Sequence, residues 1–380
     1  MDFNFSDEQL AAQKAAREFA AKEIAPIARE MDEKGEFNWD LWKKCAEVGF
    51  TGMYFPQEYG GAGMDLISCA LIAEEISKVC ASTALTLGAH HFLCGIPILM
   101  AGSEEQKQKY LPSLARGETI GGLGLTEPNA GTDAAGLQTR AEKRGDAYYL
   151  NGAKMFITNA PVGDVFFVLA RTSKDGGHRG ISAFIVEKDF PGLTRPKALK
   201  KMGHCASPTG ELVFEDCRVP EENLVGPEGK GFGIAMQTLS YGRTLIPIMS
   251  LGLAEASLEE SLKYARERKQ FGLPIGTFQL IQAKLADMKV GIEAARMLIL
   301  NALWKKEQGL DVTLEASMAK LFTSEMATRA ALEAVQIHGG YGLMKEYPVE
   351  RYLRNAKLGE IGEGTSELQR LIIANKILWS

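Results

Sequence analysis

The chain has 380 residues, 46% of them hydrophobic and 24% charged, with a formal net charge of −5. That length exceeds what one core usually takes, so two or three domains are expected in an ordinary globular protein. The acidic balance, without a basic tail or charge block, argues against nucleic acid or an anionic membrane as the main partner.

Met1 to Phe5 lead straight into a capped helix start at Ser6 to Gln9, which leaves no room for a signal or transit peptide. The longest apolar stretches are expected to break short of membrane-spanning length. Cys45, Cys69, Cys80, Cys94, Cys205 and Cys217 form no CxxC pair and read as reduced, packed thiols, so a cytoplasmic protein is expected. Residues 1–118 are helical in texture: Leu10, Phe19, Ile24 and Ile27 recur among Ala, Lys and Glu, and Leu71 to Ile76 continue the pattern. Gly60 Gly61 Ala62 Gly63 reads as a turn.

Residues 119–227 hold seven of the 14 prolines and a series of β-type runs, Tyr148 to Leu150, Met155 to Thr158, Val165 to Ala170, Ile181 to Val186 and Leu212 to Phe214. Asn151 Gly152 predicts a hairpin between the first two, within a small antiparallel barrel or sandwich. In residues 228–380 the helical period returns, with Leu285, Met288, Ile292, Ala295, Ile299 and Leu303 on one stripe, and short turns near Gly272 and Gly309 suggest an antiparallel bundle. The fold class is therefore α+β: an N-terminal helical domain, a central antiparallel β-domain and a C-terminal four-helix bundle. That order excludes a doubly wound sheet, and no complete GxGxxG or GxxxxGK occurs.

The five histidines show no metal spacing and there is no GxSxG elbow, so metal and triad mechanisms lack support. Near the C-terminus, Gly362 Glu363 Gly364 places a carboxylate between two glycines ahead of a helix that Ser366 would cap, with Gln369 reaching back. Taken alone, Glu363 reads as a solvated loop acid. Gly121 to Asp133 is dense in glycine and hydroxyls and offers backbone N–H groups to a flat heterocycle or phosphates, though it reads equally well as a surface loop. Phe156 to Asn159 adds an aromatic face beside a hydroxyl. Tyr264 to Gly272 reads either as part of a site or as a solvated helix end, and Gln336 to Gly342 either as a phosphate approach or as a Schellman stop.

Together, LTEPNAGTD at 125–133, FITN at 156–159, RKQFG at 268–272, QIHGGYG at 336–342 and GEGTSELQR at 362–370 make the chain resemble the acyl-CoA dehydrogenase family, most closely its short-chain, butyryl-CoA type. The resemblance implies FAD between the β-domain and the bundle, in a homotetramer that passes electrons to an electron-transferring flavoprotein. It implies that Leu123, Leu125, Thr126, Thr132, Phe156 and Thr158 line the flavin ring. Arg268, Phe271, Gln279, Gln336, Gly339 and Gly340 would reach the pyrophosphate and adenine half from a neighbouring subunit, and Thr365 and Glu367 would also touch FAD. Thr132, Ser240, Arg243 and Gly364 fall near the CoA thioester, and Glu363 takes the place of the base that removes the α-proton.

Two departures bear on this. Gly362 stands where the family often has tyrosine. Some relatives carry the base at the position matching Gly242, and glycine there favours Glu363. By the resemblance, residues 85–99 match the helix that floors the acyl chain, and in it His90 and His91 read either as one outward and one core histidine or, for His91 or His90, as a contact to a polar, cyclic or charged acyl group. Arg195, Lys197, Lys200 and Lys201 form a basic patch that is either a solvated loop or a contact for CoA phosphates. The same residues would serve an enoyl-CoA reductase running in reverse, and a non-catalytic assembly partner is the remaining alternative.

Overall fold

The computed structural model describes residues 4–173 and 177–379, so Met1 to Phe3 lie outside the described residues. The N-terminal segment comprises α1 (Asp7–Phe19), α2 (Ala28–Lys34), α3 (Trp39–Glu47), α4 (Leu66–Val79), α5 (Ala81–Gly88), α6 (Ile96–Ala101) and α7 (Glu104–Ala115). The α1 start is as the sequence indicates, a full capping box between Ser6 and Gln9. The run Ala81–Ala101 corrects one expectation: by length and composition alone it is apolar enough to cross a membrane. It is nevertheless a core helix here, with 61% of it buried inside the fold.

The central segment holds β1 (Gly121–Gly124), β2 (Arg140–Arg144), β3 (Ala147–Thr158), β4 (Val165–Arg171), β5 (Ile181–Glu187), β6 (Leu193–Thr194), β7 (Thr209–Pro220) and β8 (Leu224–Val225). They form one sheet in the order β6-β7-β3-β2-β4-β5-β8, with β1 beside β4. Pairing is antiparallel, as expected, except that β1 and the first residue of β2 run parallel to β4.

The expected hairpin at Asn151 Gly152 does not form. Both residues lie inside β3, where Gly152, at φ +142, marks a bulge against β7. An added Cβ there would lie 2.8 Å from Thr139 Cα, so the glycine serves a close approach rather than a turn. Asn151 is engaged by Asp216 on β7, giving a hydrogen bond to its carboxylate and taking one from its amide. The turn falls instead at Gly145 Asp146, with Gly145 at φ +62. β1 is also a strand where the glycines suggested a loop. Its glycines are set by packing: a Cβ at Gly121 would lie 2.6 Å from Cys94 Cβ, and one at Gly122 would lie 2.8 Å from Thr158 O.

The C-terminal segment has α8 (Gly231–Glu267), a β9 (Lys269–Gln270) and β10 (Leu273–Pro274) ribbon, α9 (Gln279–Glu307), α10 (Thr313–His338), α11 (Val349–Ile361) and α12 (Ser366–Trp379). α10 packs on α8, α9 and α11, and α12 lies against α10. The stripe from Met288 to Leu303 is buried as its spacing indicates.

One hydrophobic core joins the N-terminal helices to this bundle, from Ala16 and Ile72 through Met249 and Ile292 to Ala356. A buried ion network crosses the same boundary: Arg17 pairs with Glu75, Arg296 with Glu74 and Glu255, and Lys78 with Glu255. Each buried carboxylate therefore has a cation, the condition under which such burial is tolerated. A second core places Tyr110 and Leu114 against Leu125, Phe167 and Leu239, and a third fills the far face of the sheet around Tyr148, Phe184 and Phe214.

Candidate active site

The end of α11 builds the elbow. Gly362 is extended, Glu363 takes φ +54 and Gly364 φ +102, two successive left-handed residues that swing the chain into α12. The cap differs from the expected one by a residue. Thr365, not Ser366, accepts the Leu368 amide at 3.3 Å, and Gln369 Nε2 donates to Gly364 O at 3.1 Å. Ser366 is the first residue of the helix, its hydroxyl buried and without a partner among the described residues. Arg243 Nε donates to the Glu363 carbonyl oxygen at 3.3 Å and holds the elbow on α8.

The Glu363 side chain points inward, and Oε2 is buried without a hydrogen-bond partner among the described residues. Burial pushes its pKa up to about 7, against the pull of Arg243 and Lys320. Gly242 lies directly beneath: a Cβ added there would sit 2.7 Å from Glu363 Cδ and 3.0 Å from Oε1. A side chain at 242 and the carboxylate of 363 compete for one volume. Ser240, two residues back on α8, accepts from Lys306 Nζ at 3.1 Å, and that ammonium lies 4.0 Å over the Tyr241 ring.

A second group gathers along β1 and the loop after it. Leu123, Leu125 and Thr126 lead toward the exposed Thr132, and Met155 N donates to Thr126 O at 2.9 Å, tying this strip to Phe156 and Thr158 on β3. Phe156 has φ +60 and is 66% exposed, an open aromatic face that its own chain does not cover. Beneath the strip lies a buried ion pair that the sequence did not suggest. Lys154 Nζ donates to Glu127 Oε1 at 2.7 Å and Leu125 O at 3.2 Å, and Glu127 also accepts the amides of Gln138 and Thr139. Burial lowers Lys154 to about 8 despite that partner.

The third group lines a separate cleft of about 580 Å³. Arg268, Gly339 and Gly340 border it with Tyr264, His338 and Tyr341, and no residue of the strip or the elbow does. His338 stacks on Tyr264 and leaves Nε2 without a partner, and a Cβ at Gly339 or Gly340 would meet nothing within 4 Å. Phe271, at φ +51 on the ribbon turn, is 94% exposed, and Gln279 and Gln336 are exposed. Glu367 is exposed at the start of α12.

His91 is corrected. Its Nε2 accepts the Tyr54 amide at 3.2 Å, its Nδ1 bonds Thr51 O at 3.2 Å, and its ring stacks on Phe55 at 4.0 Å. His90 likewise bonds Thr51 O and Leu114 O and accepts the Gly121 amide. Neither faces outward and neither has a nitrogen left for an acyl group. Burial lowers them to about 4 and about 3, so both are neutral. The basic patch is not simply solvated either: Lys201 Nζ reaches Ser207 O and Thr209, and Arg195 reaches Ala160 O and Gly163 O.

Family models of the acyl-CoA dehydrogenase N-terminal, middle and C-terminal domains match residues 6–118, 122–217 and 229–378. The chain belongs to the acyl-CoA dehydrogenase family. The short-chain specific acyl-CoA dehydrogenase of Clostridium acetobutylicum is 50% identical over 99% of this chain and 100% of that protein. The structure of butyryl-CoA dehydrogenase from Megasphaera elsdenii superposes with a TM-score of 0.98 at 47% identity, covering 100% of both chains. A chain from the structural study of the electron-transferring flavoprotein of Acidaminococcus fermentans, directed at flavin-based electron bifurcation, superposes with a TM-score of 0.99 at 48% identity, again over 100% of both.

The chain is thus an FAD-dependent acyl-CoA dehydrogenase of the short-chain, butyryl-CoA type. The residues present fit that cofactor. Uncovered aromatics at Phe156 and Phe271 suit a flat ring system, and the open Gly339 and Gly340 backbone beside Arg268 suits phosphate.

Proposed function

We propose that the enzyme removes the α-proton and β-hydrogen of a short-chain acyl-CoA thioester to give the 2-enoyl-CoA, with Glu363 as the base. The observation that carries this reading is the Glu363 carboxylate: buried, aimed by a left-handed elbow, unpartnered at Oε2 and raised to about 7. An α-proton is weakly acidic, so a base stripped of water and poised near neutral pH is what its removal requires. Arg243 anchors the elbow, and the absent Cβ at Gly242 leaves room for the carboxylate. When bound, FAD supplies the acceptor for the β-hydrogen.

In this reading Leu123, Leu125, Thr126, Thr132, Phe156 and Thr158 hold the ring, and Thr365 and Glu367 lie close by. Arg268, Phe271, Gln279, Gln336, Gly339 and Gly340 serve the nucleotide half of a neighbouring subunit's FAD. Ser240, Gly364 and Thr132 flank the thioester. The separation of the third cleft from the strip supports such sharing within a cytoplasmic homotetramer. So do the exposed Leu280, Val290, Leu371, Ile377 and Trp379, an apolar surface expected of an interface. An electron-transferring flavoprotein is the proposed acceptor.

Anaerobic titration with a panel of acyl-CoA esters, followed by flavin absorbance, tests the reading alongside Glu363→Gln. Bleaching by butyryl-CoA that the variant abolishes supports it. Bleaching that survives the variant refutes Glu363 as the base.

A further inference from the structure

α10 and α11 run antiparallel, and their seam can be followed residue by residue. Thr328 Oγ1 donates to Glu360 Oε1 at 2.5 Å. One turn back along α10, Ser324 faces Gly359, where an added Cβ would lie 3.2 Å from Ser324 Cβ and 2.5 Å from Ser250 Oγ of α8. One further turn back stands Lys320, within electrostatic reach of Glu363. Lys320 is 0% exposed, and its ammonium has no hydrogen-bond partner among the described residues. Ser317 Oγ and Thr323 Oγ1, one turn to either side of it, are buried and unpartnered too, as are Ser366 Oγ and Gln369 Oε1 on α12.

An ammonium is expelled from such a place unless something offsets its desolvation. The charged groups facing it are Glu363 and Glu360 from the end of α11, Arg243 from α8 and Glu367 from α12. Arg243 repels it, and Glu360 is already engaged by Lys357 and Thr328. Glu363, whose Oε2 is unpartnered, is the carboxylate left for it. Donors and acceptors aligned in this way on facing helices suit ordered water bridging between them.

We propose that Lys320 is a positioning residue of the reaction: its ammonium, sealed behind the elbow, acts through bridging water to keep the Glu363 carboxylate ionised and aimed. The inference rests on Glu363 being the base. A positive charge behind the carboxylate favours its charged form, so removing that charge makes the base harder to ionise.

The test is the pH dependence of kcat and KM for butyryl-CoA in flavin-loaded Lys320→Met, Lys320→Gln and Lys320→Arg. In the two neutral variants the acid limb of kcat is expected to move up by about one pH unit, a roughly tenfold loss below neutrality that recovers in alkali, with KM within about twofold. Lys320→Arg keeps the charge and is expected to stay near wild type. An unmoved acid limb, a loss that is equal at every pH, or failure of both neutral variants to fold and hold flavin would assign Lys320 a structural role and overturn the proposal. Glu363→Gln is measured in parallel: if that variant keeps its activity, the base assignment itself has failed, independently of the lysine.

Discussion

Gly242→Ala adds one carbon to the enzyme, and the structure says where that carbon goes. It would sit 2.7 Å from Glu363 Cδ, whereas ordinary contact begins near 3.4 Å. Gly242 is in the interior of a 37-residue helix, while the carboxylate ends a side chain with rotatable bonds. The carboxylate is therefore the group that yields, by roughly 1 Å, and misplacement on that scale lowers a positioned reaction by about 100-fold. The fold and the flavin should be untouched, since the added methyl meets only Glu363 among its nearest neighbours. Stopped-flow bleaching by butyryl-CoA would read the loss as a fall in the rate of reduction, with little change in the concentration giving half the maximal rate. The double variant Gly242→Glu with Glu363→Gly moves a carboxylate into the same volume and should recover part of the rate. Wild-type reduction by Gly242→Ala would refute the shared-volume argument.

Two other perturbations test the electrostatics. The native pKa of Glu363, raised to about 7 from an unfolded value near 4.5, means the native state binds the extra proton between those values, so the residue's contribution to stability falls as pH rises through that window. Glu363→Gln should then be the more stable protein at pH 8, by up to roughly 3 kcal/mol, with the difference vanishing below pH 4.5, as thermal unfolding across pH would show. Lys154→Met strands the buried Glu127 carboxylate beneath the loop that follows β1 and should cost about 3–5 kcal/mol, whereas Lys154→Met with Glu127→Gln should cost less. Denaturant melts and the ratio of flavin to protein absorbance measure both, and equal losses in the single and double variants would speak against the pair.

The layered order of helix, sheet and helix was legible because texture changes over long stretches, and the Met288 to Leu303 stripe fell where its period put it. Motifs located the elbow, the strip and the cleft. What escaped was set by contacts distant in sequence. Asn151 Gly152 has turn chemistry, but Thr139 and Asp216 crowd and bind it inside a strand. His91 sits on the expected helix, yet the backbone of residues 51 and 54 takes up both its nitrogens. Lys154 and Lys320 look like ordinary surface lysines until their helix or strand neighbours are known to be buried. For Lys320 a signal was present, since Ala316, Ala319, Thr323 and Ala327 mark the apolar face it shares.

The core shared by the first and third segments also governs how the protein is made. α4 buries one part of its apolar face against α1 and another against α8, yet α4 ends at Val79 and α8 is complete only at Glu267. A ribosome needs roughly 10–40 s to cover that interval. Throughout it, Ile72 and Ile76 can pack on the N-terminal helix through Ala16 and Ala20 but lack the α8 side of their core. The nascent N-terminal helices therefore wait with part of their apolar face open until α8 has been made, so a chain cut short before Glu267 would leave that face exposed.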